Sequence, residues 1–104
     1  MVSSVSNVAG GGTLNFQPAA GVECKIPLAG GQEAIVRLTN GANFMTINNA
    51  VLGEFSGIGL LNPANGGTAF VPLFGVLYVN NSVFLSILNP AVARDQGYCG
   101  IQIK

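Results

Sequence analysis

The chain has 104 residues, enough for one domain whose core needs neither a metal ion nor a disulfide for stability. Only 8% of its residues are charged, four basic and four acidic, and histidine is absent. Four scattered bases cannot supply the clustered positive charge that nucleic acid binding requires. Without histidine there are no Ser–His or Cys–His nucleophilic pairs, so we expect no enzyme activity and no cofactor.

The first twelve residues are small and polar, with valines at positions 2, 5 and 8. They lack the basic and apolar regions of a secretory signal. We expect residues 1–12 to be a flexible tail or an arm that docks on a neighbouring subunit. Residues 13–104 are expected to form a single β-sandwich domain.

Turn-forming Gly, Asn and Pro residues divide the rest of the chain into short segments, and none of these has helical periodicity. The segments predict about eight strands in an all-β fold. They cover 13–17, 21–27, 33–39, 43–49, 51–56, 68–74, 76–79 paired with 83–88 as a hairpin, and 97–103. Short strands at this spacing are typical of a jelly roll or a related antiparallel β-sandwich.

Period-two alternation predicts which side chains of the first strands face the core. The predicted core-facing residues are Val22, Cys24, Ile26, Ala34, Val36 and Leu38. Glu23, Lys25 and Glu33 are expected to face solvent, so the two glutamates should not form a catalytic pair. Asn40-Gly41 predicts a tight hairpin with the return strand near 44–48.

The last strand also alternates, with Cys99, Ile101 and Ile103 predicted to face the core. The first and last strands of a jelly roll are neighbours, so Cys24 and Cys99 are candidates for close approach. Reduced, buried thiols are the default expectation, because no secretory signal is visible.

The segment between Glu54 and Arg94 carries no charge, and its stretches 70–79 and 83–88 are apolar on both faces. Pro72 and Gly75 interrupt it, so it is too short for a membrane-spanning helix. A neighbouring subunit is the economical cover for such strands. Arg94 and Asp95 are expected in the last loop, as an ion pair or a partner contact. The candidate interface residues are Val2, Val5, Val8, Phe70, Phe74, Leu77, Tyr78, Phe84, Arg94 and Asp95.

Four stretches in this order resemble the head-decoration, or cement, proteins of tailed bacteriophages: Asn15 to Glu23, the hairpin at 35–41, Leu77 to Ser82, and Tyr98 to Ile103. The resemblance implies a jelly-roll-like module without an active site. It also implies binding to the outer surface of the expanded capsid, where such a module clamps neighbouring copies of the major capsid protein. The protein would then be made in the host cytoplasm and reside on the virion.

The formal net charge of zero favours self-association, and we expect a homodimer or homotrimer. The alternative function is a receptor- or glycan-binding β-sandwich of a phage tail or fibre. Glycan sites usually present Trp or Tyr, whereas this chain has no Trp and two Tyr. This shortage favours the cement function.

Overall fold

The computed structural model describes residues 1–48, 55–58 and 76–104, which form strands joined by turns. The predicted strand at 68–74, with Phe70 and Phe74, lies outside the described residues, as does most of the strand at 51–56. The strands of the described residues are β1 (Val2–Val8), β2 (Thr13–Phe16), β3 (Cys24–Gln32), β4 (Ile35–Thr39), β5 (Phe44–Asn48), β6 (Phe55–Ile58), β7 (Leu77–Val79), β8 (Phe84–Leu88) and β9 (Arg94–Gln102).

The strands form two antiparallel sheets packed together as a β-sandwich, which confirms the predicted all-β class. Sheet A has the order β1-β9-β3-β6, with β7 also paired to β3; sheet B has the order β2-β8-β4-β5. β6 pairs with residues 29–32 of β3 and β7 with residues 24–26, so both lie along one edge of β3. Counted as one interrupted strand, they complete the connectivity of a jelly roll, in which consecutive strands mostly alternate between sheets.

The core lies between the inner faces of the two sheets. Its fully buried aliphatic side chains come from both, with Ile26 and Ile58 in sheet A and Val36, Leu85 and Ile87 in sheet B. The alternation predicted for 22–26 and 33–39 is confirmed at Cys24, Ile26, Ala34 and Val36, which are buried. Glu33 and Thr39, at outward positions of the same pattern, are buried as well. Glu33 lies in a turn, where it has a positive φ of 55°.

The N-terminal segment differs from its prediction. Residues 2–8 form β1, which pairs with β9 of the same chain from Val2 opposite Gly100 to Val8 opposite Arg94. These residues are therefore neither a tail nor an arm on a neighbour in this structure. The sequence hides the strand because two of its four inward positions are serine: Val2 and Val8 face the core, and Ser4 and Ser6 lie between them.

Two asparagine-containing turns are predicted to close hairpins, and the structure confirms the first of these hairpins but not the second. The Asn40-Gly41 turn joins β4 to β5 in sheet B, as predicted. The turn at 80–83 instead joins β7 in sheet A to β8 in sheet B, so the hairpin predicted there is wrong. β8 pairs with β2 and β4 and is a central strand of sheet B.

The orientation of the last strand is the reverse of its prediction. Gln96, Tyr98 and Gly100 face the core, whereas Ile101 is 48% exposed. Tyr98 stacks on Phe16 of the other sheet, with 4.9 Å between ring centroids. A Cβ on Gly100 would lie 2.6 Å from Cδ1 of Ile26, so glycine leaves the room that this core isoleucine occupies.

Candidate protein-binding surface

The outer face of sheet A presents apolar side chains where an antiparallel sandwich normally presents polar ones to water. Val5 is 80% exposed, Tyr78 62% and Leu28 37%, and each lies on a different strand. Ile101 and Cys99 join them from β9. Because contiguous exposed apolar surface marks interaction sites, this face is the strongest candidate surface on the described part of the molecule.

The register of the strands makes this apolar surface continuous. Two rows of side chains cross the sheet, one through Ser3, Cys99 and Leu28 and the other through Ile101, Lys25 and Tyr78. Directly opposite residues on neighbouring antiparallel strands have Cβ atoms about 4.5–5.5 Å apart, so each row is a line of touching side chains. Val5, Leu28, Tyr78, Cys99 and Ile101 together form what we call the apolar face.

A groove of about 310 Å³ opens on the apolar face. Gly30 and Gly97 lie opposite each other in its floor, and Val5 lies opposite Gly97 on β1. Leu28 and Cys99 also line it. The groove exists because two neighbouring strands carry glycine at the same level, which removes the side chains that would fill it.

Few charges interrupt this face. Among the described residues of sheet A, Lys25 and Asp95 are the charged side chains on the outer side. Asp95 accepts a hydrogen bond of 3.0 Å from the side-chain amide of Asn7. A partner that covers the face would therefore desolvate few charges, but Lys25 lies between Ile101 and Tyr78 and needs an acidic group or water opposite it when it is covered.

The two thiols lie on opposite sides of sheet A. Cys24 is fully buried in the core, and Cys99 lies in the groove of the outer face. β3 and β9 are neighbours, as predicted, but Cys99 pairs with Leu28 and Cys24 with Gln102. Both cysteines are free. The prediction that Cys99 faces the core is wrong, because β9 turns the other way, and the two thiols therefore do not share a core face.

Arg94 and Asp95 are the first two residues of β9 rather than members of a loop. Arg94 makes an ion pair with Glu33 at 3.8 Å, and the Glu33 side chain is 5% exposed. The prediction that Glu33 faces solvent is therefore wrong. Glu23 lies elsewhere, 3.7 Å from the ammonium of Lys104, so each of these glutamates has its own cation.

The outer face of sheet B is a mixed aromatic and polar surface. The guanidinium of Arg37 donates a 3.0 Å hydrogen bond to Oγ of Ser86. Its carbon lies 4.0 Å from the centroid of the Phe44 ring. Burial lowers the pKa of Arg37 from its ordinary value. Asn15 lies opposite Ser86 on the neighbouring strand, and a shallow hollow of about 160 Å³ opens beside these residues.

The structure separates the other predicted interface residues. Val8 and Leu77 are buried in the sandwich, and Val2 is half-buried against its core. Phe84 lies on the outer face of sheet B, opposite Thr39. Of the predicted set within the described residues, Val5 and Tyr78 belong to the apolar face.

Sequence reasoning missed Leu28, Cys99 and Ile101 as surface residues. For Leu28 a signal exists: Pro27 interrupts β3, and proline inside a strand marks a bulge or an edge. The register of β3 against β9 does shift between Lys25 and Leu28, which moves Leu28 to the outer face. For β9 the pattern is ambiguous, because apolar residues occupy both parities at Tyr98, Cys99 and Ile101.

No cluster of three or more His, Cys, Asp or Glu side chains suited to a metal ion occurs within residues 1–48, 55–58 and 76–104. The same ranges contain no helix long and apolar enough to cross a membrane. Comparisons with protein-family models, with curated proteins and with solved structures found no match to the chain.

Proposed function

We propose that this chain is a non-enzymatic structural protein that binds the outer surface of a phage capsid and stabilises the shell of major capsid protein. The single observation that carries the proposal is the apolar face of sheet A, where Val5, Leu28, Tyr78 and Ile101 are exposed on the same side of one sheet. A rigid sheet loses little conformational entropy when it docks, so it suits a flat contact with another protein.

The energetics favour a repeated lattice over a single tight contact. Each aliphatic side chain that is fully buried on docking contributes about 1.5–3 kcal/mol. Association consumes at least about 4 kcal/mol of this gain in lost rigid-body freedom. The apolar face alone therefore supports modest affinity per copy. Many copies on a symmetric shell together add stability to it, and linked copies bind with higher avidity.

The alternative is a receptor- or glycan-binding module of a phage tail or fibre, and the outer face of sheet B is the observation that favours it. The exposed Asn15 and the half-buried Arg37 offer hydrogen-bonding groups beside the Phe44 ring. The hollow there is about half as large as the groove on sheet A, at about 160 Å³ against 310 Å³. Its small size ranks this function second.

The proposal is tested by binding to expanded heads of the encoding phage assembled without this protein. Wild type, Ile101→Lys and Met45→Lys are each mixed with heads, and the bound fraction is measured after sedimentation. Ile101 and Met45 are comparably exposed, at 48% and 58%, but Met45 lies on β5 of sheet B. We expect Ile101→Lys to weaken binding about tenfold or more and Met45→Lys to bind as wild type does.

Two other outcomes would contradict the proposal. Loss of binding in Met45→Lys but not in Ile101→Lys would move the contact to sheet B and overturn the assignment of the face. Heads that bind no wild-type protein would overturn the capsid function in favour of the tail or fibre module. Circular dichroism of both variants checks that the sandwich remains folded.

A further inference from the structure

Strand β1 is an edge strand with none of the features that normally protect an edge. It pairs with β9 on one side, and no strand within the described ranges pairs with its other side. Proteins usually guard such edges with charge, proline, a bulge or very short length. β1 is seven residues long, contains no charged residue or proline, and pairs with β9 without a register shift.

The residue pattern of β1 is symmetric about its centre. Read from either end, Val-Ser-Ser-Val-Ser-Asn-Val has valine at both termini and in the middle, with small polar residues between. An antiparallel copy of the same strand centred on Val5 places Val2 opposite Val8 of the second copy. Ser4 then lies opposite Ser6, and Val5 lies opposite Val5.

This register also matches the faces of the two sheets. The even-numbered residues of β1 face the core, and the odd-numbered ones face outward. A pairing centred on Val5 keeps even residues opposite even ones, so the two cores and the two outer faces are continuous. A shift by one residue would place core-facing side chains opposite solvent-facing ones. A shift by two residues keeps core-facing side chains opposite core-facing ones. It pairs fewer residues, however, and valines no longer lie opposite valines.

We infer that β1 is a dimerisation strand, and that its partner is β1 of a second copy of this chain in antiparallel register centred on Val5. The two copies of sheet A then form one continuous sheet across a twofold axis. Val5, which is 80% exposed in the single chain, packs against its symmetry mate. The Val5-Gly97-Gly30 rows of both copies meet end to end, so their grooves join across the axis.

The inference goes beyond capsid binding and does not depend on it. β6 and β7 lie at the far edge of sheet A, because both strands pair with β3 and not with β9. The dimer interface is therefore separated from these two strands by β9 and β3. Purified protein alone suffices for the test.

The test uses charge at the centre of the proposed axis. Wild type, Val5→Lys, Val5→Glu and their equimolar mixture are studied by sedimentation equilibrium between low and high micromolar concentration. Wild type is expected to be a dimer at high micromolar concentration. Each single variant places like charges directly opposite each other and is expected to dimerise about tenfold or more weakly. The mixture pairs Lys with Glu and is expected to recover dimer.

Val92→Lys is the matched control, since Val92 is 57% exposed and lies in the turn before β9. It should dimerise as wild type does. Monomeric wild type throughout, or single variants that dimerise unchanged, would overturn the inference. A mixture no more dimeric than its components would overturn the register centred on Val5. Because Val5 points away from the core, circular dichroism should show all the variants folded.

Discussion

At the scale of single residues, the side chain of Asn89 makes hydrogen bonds to three backbone groups around it. It is fully buried. Its side-chain amide donates to the carbonyl oxygens of Val8 at 2.7 Å and Val92 at 2.6 Å. Its side-chain oxygen accepts from the backbone N–H of Ala91 at 3.1 Å. These bonds hold the end of β1 against the turn that leads into β9.

The first prediction is that Asn89→Ala destabilises the fold by about 2–4 kcal/mol, because it leaves buried backbone groups without partners. Urea unfolding at neutral pH measures this loss. Asn15→Ala is the control, because Asn15 is exposed and, within the described part of the chain, its side chain bonds to Thr13 alone, at 3.3 Å. It should cost less than about 0.5 kcal/mol. Equal losses in the two variants would contradict the role given to Asn89.

Whether the sequence predicts which side chains face the core depends on how apolar and polar residues alternate in each strand. Alternation predicts the buried side of β4 at Val36, because the polar Arg37 and Thr39 share the opposite parity with a single apolar residue, Ile35. It fails at β9, where apolar residues occupy both parities and the inward set includes Tyr98, which packs on Phe16. Glu33 was unpredictable for a different reason: its burial depends on Arg94, which is distant in sequence and near in space.

At the scale of elements, the Tyr98–Phe16 stack joins β9 of sheet A to β2 of sheet B. Burial, together with the nearby Cys24, raises the pKa of Tyr98 above its ordinary value of 10.0. A raised pKa means that the folded state holds the phenolic proton more tightly than the unfolded state does. The associated stability is fully present below pH 10 and is lost as the pH rises through the raised pKa.

The second prediction concerns the dependence of stability on pH that the raised pKa of Tyr98 implies. The free energy of unfolding should fall between pH 10 and the onset of alkaline unfolding, and Tyr98→Phe should reduce the fall. Tyr78→Phe is the matched control, because Tyr78 is 62% exposed, and it should leave the fall unchanged. Urea midpoints at several pH values measure the slope. An identical slope in wild type and Tyr98→Phe would contradict the coupling.

The order of strands was predictable only in outline. Turn residues and short alternating segments indicate a sandwich, and Asn40-Gly41 indicates the β4–β5 hairpin correctly. The turn at 80–83 has a similar composition but connects two sheets. Local sequence cannot distinguish these cases, because pairing depends on which distant strand offers a free edge. The bulge at 25–28 of β3, which exposes Leu28, is likewise set by its pairing with β9.

At the scale of the whole molecule, the shortage of charge and the apolar face of sheet A have one physical explanation in the proposed function. A surface that becomes covered in an assembly does not need charge to remain hydrated. A dimer through β1 would place two such faces side by side in one sheet and so double the area offered to a shell. Edge pairing uses the backbone of β1, whereas face docking uses the outward side chains of sheet A. Val5 belongs to both surfaces, because it stays on the outer face when it packs beside its symmetry mate, so the two contacts are compatible.

Cys99 provides the most direct test of the claim that the apolar face contacts the capsid, because it lies naturally within the groove of that face. The measurement is the rate of its alkylation by iodoacetamide, followed by mass spectrometry, for free protein and for protein bound to saturated heads. Buried Cys24 serves as the internal reference and should react in neither state. In urea without reductant, both free thiols should react.

We expect Cys99 to react in the free protein and at least about tenfold more slowly in the bound state, because the shell covers the groove. Alkylation of Cys99 before mixing should also reduce binding. A rate for Cys99 on saturated heads equal to that of the free protein would contradict the account, because the groove would then remain open to solvent while the protein is bound.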